Sequence, residues 1–235
     1  MTLNNLTSHV KSTIDGRELS EVELLRYEVA RSRVALQLLK ERLGPDALKA
    51  LLREDTSKSA ALIGRWAAKS KGKFVPSTAE IVVKGGNAKG FLAWFERVTL
   101  VSDEVSLLGA NPEHYLVQCI PHGQEVIETL GAWGRPVHFT IDFNRDVKDM
   151  VTPEAFDDEY PVRMLGAGSV APGVDAGVVV HQFADTEDGF KIKLAIYYPA
   201  AADPAMVEGH RSHLALEFTN WVNMYLADEG IRAVE

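Results

Sequence analysis

One cysteine, Cys119, stands in 235 residues, so no internal disulfide can form. It lies in the apolar-rich run Tyr115-Leu116-Val117-Gln118-Cys119-Ile120, where a buried structural thiol is expected rather than a nucleophile. No apolar stretch approaches the roughly 20 residues that cross a bilayer, so no membrane partner is expected. Met1 to Thr7 lacks the apolar core of a signal peptide, which gives a cytoplasmic protein as the expectation. Basic charge is in deficit: 25 Lys and Arg against 33 Asp and Glu leave a formal charge of −8. With no basic stripe, nucleic acid is excluded as an expected partner. Lys84-Gly85-Gly86-Asn87-Ala88-Lys89-Gly90 has neither the Gly-x-Gly-x-x-Gly pattern nor the Gly-Lys-Ser/Thr ending of a phosphate-binding loop. Ser169 sits in Gly168-Ser169-Val170, without the Gly-x-Ser-x-Gly frame of a hydrolase nucleophile. Internal repeats and low-complexity segments are absent as well.

What remains is an ordinary globule, 46% hydrophobic and 25% charged. Ser20 to Leu43 has leucines and valines at mixed three and four spacing, which predicts an amphipathic helix. Ser20 and Glu23 make a capping box at its start. Gly44-Pro45 ends this helix and starts another, to Ala68, giving a predicted helical hairpin. Its apolar face suits a lid, a dimer surface or part of the core, and a homo-oligomer is left open. Lys69 to Lys73 is polar and marks the expected boundary between an N-terminal helical segment, 1–73, and a second domain, 74–235.

Beyond it the pattern turns to strands: Ala79 to Val83, Tyr115 to Ile120, Glu125 to Leu130, Val137 to Phe143, Gly177 to Phe183 and Phe190 to Tyr198. A short helix is expected over Gly90 to Arg97. Asp203 as N-cap and Pro204 at the first helical position open a long closing helix to Leu226. The fold class is therefore α+β: a curved antiparallel sheet around a C-terminal helix, a helix-grip arrangement of the Bet v 1 type, with a cavity between the two layers.

Chemistry enters on the closing helix. His213 and Glu217 are four residues apart, one turn along one face, where an imidazole and a carboxylate can grip one divalent metal. The same spacing also describes a solvated surface pair.

Three stretches resemble the diacetylphloroglucinol and phloretin hydrolases, metal-dependent enzymes that cleave a carbon–carbon bond between an aromatic ring and an acyl group. The first is Phe91-Leu92-Ala93-Trp94-Phe95 with Asn111-Pro112-Glu113-His114-Tyr115. The second is His181 to Phe190, and the third is His213-Leu214-Ala215-Leu216-Glu217. The resemblance implies a helix-grip domain behind a helical segment, and one divalent metal, zinc being the expected ion. It implies His114, His213 and Glu217 as ligands, with a fourth from the strands after His114. Glu128 is chosen there, with Glu125 and Asp142 as competitors. Glu96-Arg97 stands where the family has Trp-His, and the strand Phe190 to Ile196 is poorer in arginine and aromatics, so a different substrate is expected.

His122 and His210 are the candidate proton-transfer groups, since an unperturbed imidazole titrates near working pH. His122 follows Pro121 in a turn, where a solvated side chain is the bland reading. His210 is one turn from His213 and either joins the site or lies on the surface. His181, in an apolar strand, reads as a satisfied core or cavity-lining histidine. His138, Thr140 and Asp142 alternate toward the expected cavity, and Trp94, Trp133, Phe139 and Trp221 are its candidate aromatic lining. The expected activity is hydrolysis of an acylated phenol or β-diketone-like substrate. The alternatives are a metal-free protein that binds a small apolar ligand, and a cyclase or isomerase using the same cavity.

Overall fold

A computed structural model describes residues 11–231. The chain divides into two compact units, Met1–Arg42 and Leu43–Glu235. The sequence boundary at residue 73 instead marks the passage from helix to sheet, inside the second unit.

In the first unit a small hairpin, β1 (Thr13–Ile14) with β2 (Arg17–Glu18), precedes α1 (Glu21–Ser70), which runs on into the second. The capping box forms as the sequence predicts: the Ser20 N–H donates to Glu23 Oε2 at 2.9 Å and the Glu23 N–H to Ser20 Oγ at 3.2 Å. The break falls at the Gly44-Pro45 turn the sequence predicts: the backbone leaves helical geometry at one residue, Gly44 (φ 69°). Pro45, which lacks an N–H to donate, falls at the restart, where it costs least.

The second unit continues with β3 (Phe74–Lys84), α2 (Ala88–Leu100), α3 (Glu104–Gly109), β4 (His114–Ile120), β5 (Gly123–Thr129) and β6 (Pro136–Asp142). It closes with β7 (Val162–Ala171), β8 (Val174–Thr186), β9 (Gly189–Pro199) and α4 (Pro204–Asp228). The seven strands form one antiparallel sheet in the order β3-β9-β8-β7-β6-β5-β4. β7 escapes sequence reading because Gly166-Ala167-Gly168-Ser169 resembles a loop. A Cβ on Gly166 would lie 2.8 Å from the Ile141 side chain, so the glycine is where β6 crowds its neighbour.

α4 begins as predicted, with the Asp203 side chain accepting from the Ala205 N–H at 2.9 Å. Its buried residues, among them Met206, His210, His213, Leu214, Glu217, Phe218, Trp221 and Tyr225, recur every three or four positions. That stripe faces the sheet and packs with α2 in a core centred on Phe91, Phe95, Phe183, Phe190 and Phe218. His213 and Glu217 thus sit within the buried stripe.

Candidate metal centre

Val126 and Glu128 on β5 and Val117 on β4 face the interior by strand alternation. Alternation alone would turn Tyr115 inward and His114 outward. The ladder instead shifts between His114 and Leu116, so that His114 stands opposite Glu128. This bulge at Tyr115 brings both side chains onto one face. α4 reaches them because Gly131, just past β5, has φ +59° and lies so close to the Gly209 carbonyl that a Cβ would be 2.1 Å from its oxygen. The contact seats the His210–His213 turn of α4 over the end of β5.

The result is a knot of donors. His114 Nε2 lies 3.4 Å from His213 Nε2, 3.5 Å from Glu128 Oε2 and 3.2 Å from Glu217 Oε2. His213 Nε2 is 3.6 Å from each of those two oxygens. His114, Glu128 and His213 each offer one ligand atom, all within 4.8 Å of one another. Bonds of about 2.0–2.2 Å to a four-coordinate zinc put neighbouring donors roughly 3.3–3.6 Å apart, so the spacings suit a metal ion. The outer nitrogens agree. His114 Nδ1 is 2.8 Å from the Leu107 carbonyl, and His213 Nδ1 is 2.8 Å from Glu113 Oε2. Each ring that donates from Nδ1 turns the lone pair of Nε2 to the centre, as metal-ligating histidines do.

Without a metal, charge collects here. Burial alone would lower the His213 pKa, but Glu128, Glu113 and Glu217 outweigh it and raise it far above its usual value. Burial would raise Glu217, yet hydrogen bonds from His114 and His213 hold it well below the carboxylate range. The metal-free cluster therefore retains an imidazolium between carboxylates.

Glu113 was missed by sequence reading, although it directly precedes His114. Its other oxygen accepts from Thr129 Oγ1 at 3.0 Å, and its N–H donates to Asn111 Oδ1 at 3.1 Å, so the carboxylate is fixed in place. Glu113→Gln removes the charge behind His213 and should weaken metal binding about 10–100-fold, read by competition with a chromophoric chelator. Unchanged affinity would show that the pair does not tune the ligand.

A cavity of about 110 Å³ adjoins the cluster, lined by His114, Glu128 and Glu217 on one side and largely by apolar side chains elsewhere. An apolar cavity of roughly 150 Å³ takes up one benzene, so this space is close to that of a single ring. Phe139 and Trp221 line it as expected. Trp94 does not: it is core, donating to Asp228 Oδ2 at 2.8 Å. Trp133 instead packs on Trp66 at 5.7 Å. Tyr198, His181 and His210 supply further polar groups. Tyr198, at the end of β9, carries no sequence signal of this role. His181 lines the cavity edge-to-face with Phe218, and burial pushes its pKa down to about 4, against the pull of Glu217. His210 stacks on His213 with ring centroids 4.9 Å apart, and burial and the His213 charge keep it neutral. Its Nδ1 is buried without a hydrogen-bond partner.

Other expectations are corrected. His122 is exposed at the tip of the β4–β5 hairpin and hydrogen-bonded to Asn144, about 20 Å along the strand from His114 at roughly 3.3 Å per residue. It is no part of this site. Glu125 pairs with Lys49 at 2.8 Å and His138 at 2.7 Å, and Asp142 is exposed, so neither competes with Glu128. On β6 the inward residues are Val137, Phe139 and Ile141, and His138, Thr140 and Asp142 alternate away.

No protein-family model matches the chain, and no curated protein does. Among solved structures, that of an uncharacterized protein from Rhizobium leguminosarum is similar at a TM-score of 0.38 and 12% identity, over 66% of this chain and 96% of that one. That degree of likeness carries no functional argument.

Proposed function

We propose that the protein is a divalent-metal enzyme of the helix-grip kind that hydrolyses a carbon–carbon bond in an acylated phenol or β-diketone-like compound. The fold reading rests on the order strand, two helices, six strands and long helix, with the cavity between sheet and α4. The metal reading rests on the convergence of His114, Glu128 and His213, with Glu217 against both imidazoles, and with the outer ring nitrogens of both histidines hydrogen-bonded. The substrate reading adds the resemblance to the phloroglucinol-type hydrolases.

A divalent ion in such a donor set supplies Lewis acidity to a substrate carbonyl. The protein's own side chains do the rest. The apolar cavity holds the ring against Phe139 and Trp221 and excludes bulk water. Tyr198, whose pKa is raised well above its usual value by burial and by Glu128 and Glu217, stays a neutral phenol. His210, a neutral ring in the lining of the cavity with Nδ1 free of a hydrogen-bond partner, is the group placed to take a proton from the attacking water and pass it on. The departing ring needs that proton at carbon.

The test is turnover of acylated phenols by metal-loaded protein, with free acid and deacylated phenol followed by chromatography. Turnover should stop after chelation and return with zinc. A fully metal-loaded protein that cleaves none of a broad panel would remove the substrate reading, and a protein that turns over after chelation would remove the metal reading. A metal-free protein that only retains small apolar ligands would favour the binding alternative.

A further inference from the structure

The first part of α1 carries an apolar row that this unit leaves exposed. Val22, Leu25, Val29, Ser32, Leu36, Leu39 and Leu43 alternate three and four apart over three heptads. All but Ser32 are apolar. Val22, Leu25, Val29, Leu39 and Leu43 are between 38% and 59% exposed, and Leu36 is half-buried. A 3.5-residue period is the seam of a coiled coil, and this row spans the three heptads at which the pattern becomes informative.

We infer that residues 22–43 form a parallel, in-register two-stranded coiled coil with a second copy of this chain. The flanking charges choose the partner and its direction. With Val22, Val29, Leu36 and Leu43 at the a positions, Leu25, Ser32 and Leu39 fall at d. Glu21, Glu28, Ala35 and Arg42 then occupy g, and Arg26, Arg33 and Lys40 occupy e, with Lys40 itself buried. In a parallel pair each g residue meets the e residue five positions on in the other helix, so Glu21 faces Arg26 and Glu28 faces Arg33 across the seam. An antiparallel pair brings g against g, where Glu21 meets Arg42, but also e against e, where Arg33 meets its own copy and Arg26 meets Lys40, so repulsion outweighs attraction. Valine at two a positions and leucine at two d positions favour two strands over three. The opposite row, Leu24, Tyr27, Arg31, Val34 and Leu38, is apolar too but has Arg31 within it, and it would set Glu23 against Glu28. It is the poorer seam. The mixed charge of the helix also differs from the cationic face of a helix that lies on a membrane.

The full-length protein should sediment at twice the chain mass across the micromolar range. Leu25→Glu with Leu39→Glu should return it to monomer, with metal content per chain unchanged as the control that the second unit is folded. Ser32→Leu, which completes the seam, should tighten the dimer by about tenfold or more. Direction is read by Leu25→Cys carried on Cys119→Ser: on mild oxidation it should cross-link to its counterpart, which only parallel, in-register helices bring together. A wild-type monomer, a trimer or larger species, a dimer untouched by the double substitution, or a dimer that fails to cross-link would each overturn the proposal.

Discussion

Purified protein should carry close to one divalent metal per chain, and His213→Ala should reduce that to near zero. The substitution removes the nitrogen that lies 3.4–3.6 Å from the donors of His114, Glu128 and Glu217. It also takes the imidazole from Glu113 Oε2 and leaves two buried carboxylates facing one imidazole. With the fold kept, shown by circular dichroism, catalysis should fall with the metal, by at least the roughly 10²-fold that a lost electrostatic stabiliser of the transition state costs. His114→Ala should behave alike. Elemental analysis decides it: full metal retention in both variants would end the assignment.

Metal affinity should also climb steeply with pH. In the metal-free protein the His213 pKa is raised, so at neutral pH its imidazole holds a proton that a metal must displace. Glu217 is shifted the other way and is ionised throughout, so it releases none. One displaced proton makes the apparent affinity fall about tenfold for each unit of pH lost, or roughly 100-fold from pH 8 to pH 6. Calorimetry in buffers of different ionisation enthalpy should register close to one proton released per metal bound. A flat profile would mean that His213 is already neutral before metal arrives.

The caps of α1 and α4 were legible because they are local, whereas the short α3 was not read. Ser20 with Glu23, and Asp203 with Pro204, announce caps within one turn, and both caps are present. Most strands announced themselves by runs of β-branched and aromatic residues; β7 did not, because Gly166 and Gly168 answer to neighbours across the sheet. In the candidate site, the four-residue spacing of His213 and Glu217 was visible on its own. Their meeting with His114 and Glu128 was not, since it depends on a one-residue bulge at Tyr115 and on the approach of Gly131 to Gly209. Local sequence put His122 in a turn and left His210 open between the site and the surface. Strand length then carried His122 away from the cluster, and helical periodicity carried His210 into it.

The donors of the centre come from two places in the chain: a hairpin that closes on itself within β4 and β5, and the last helix, which follows after every strand of the sheet. Half of the ion's cage is ready as soon as that hairpin pairs. The other half arrives only when α4, which follows the strands in chain order, docks on them. An ion held by hairpin and helix together would close a long loop in the folded chain, as a crosslink does. Metal capture at this cluster would then serve as a checkpoint for the finished fold, and a chain truncated within α4 should lose it along with the helix.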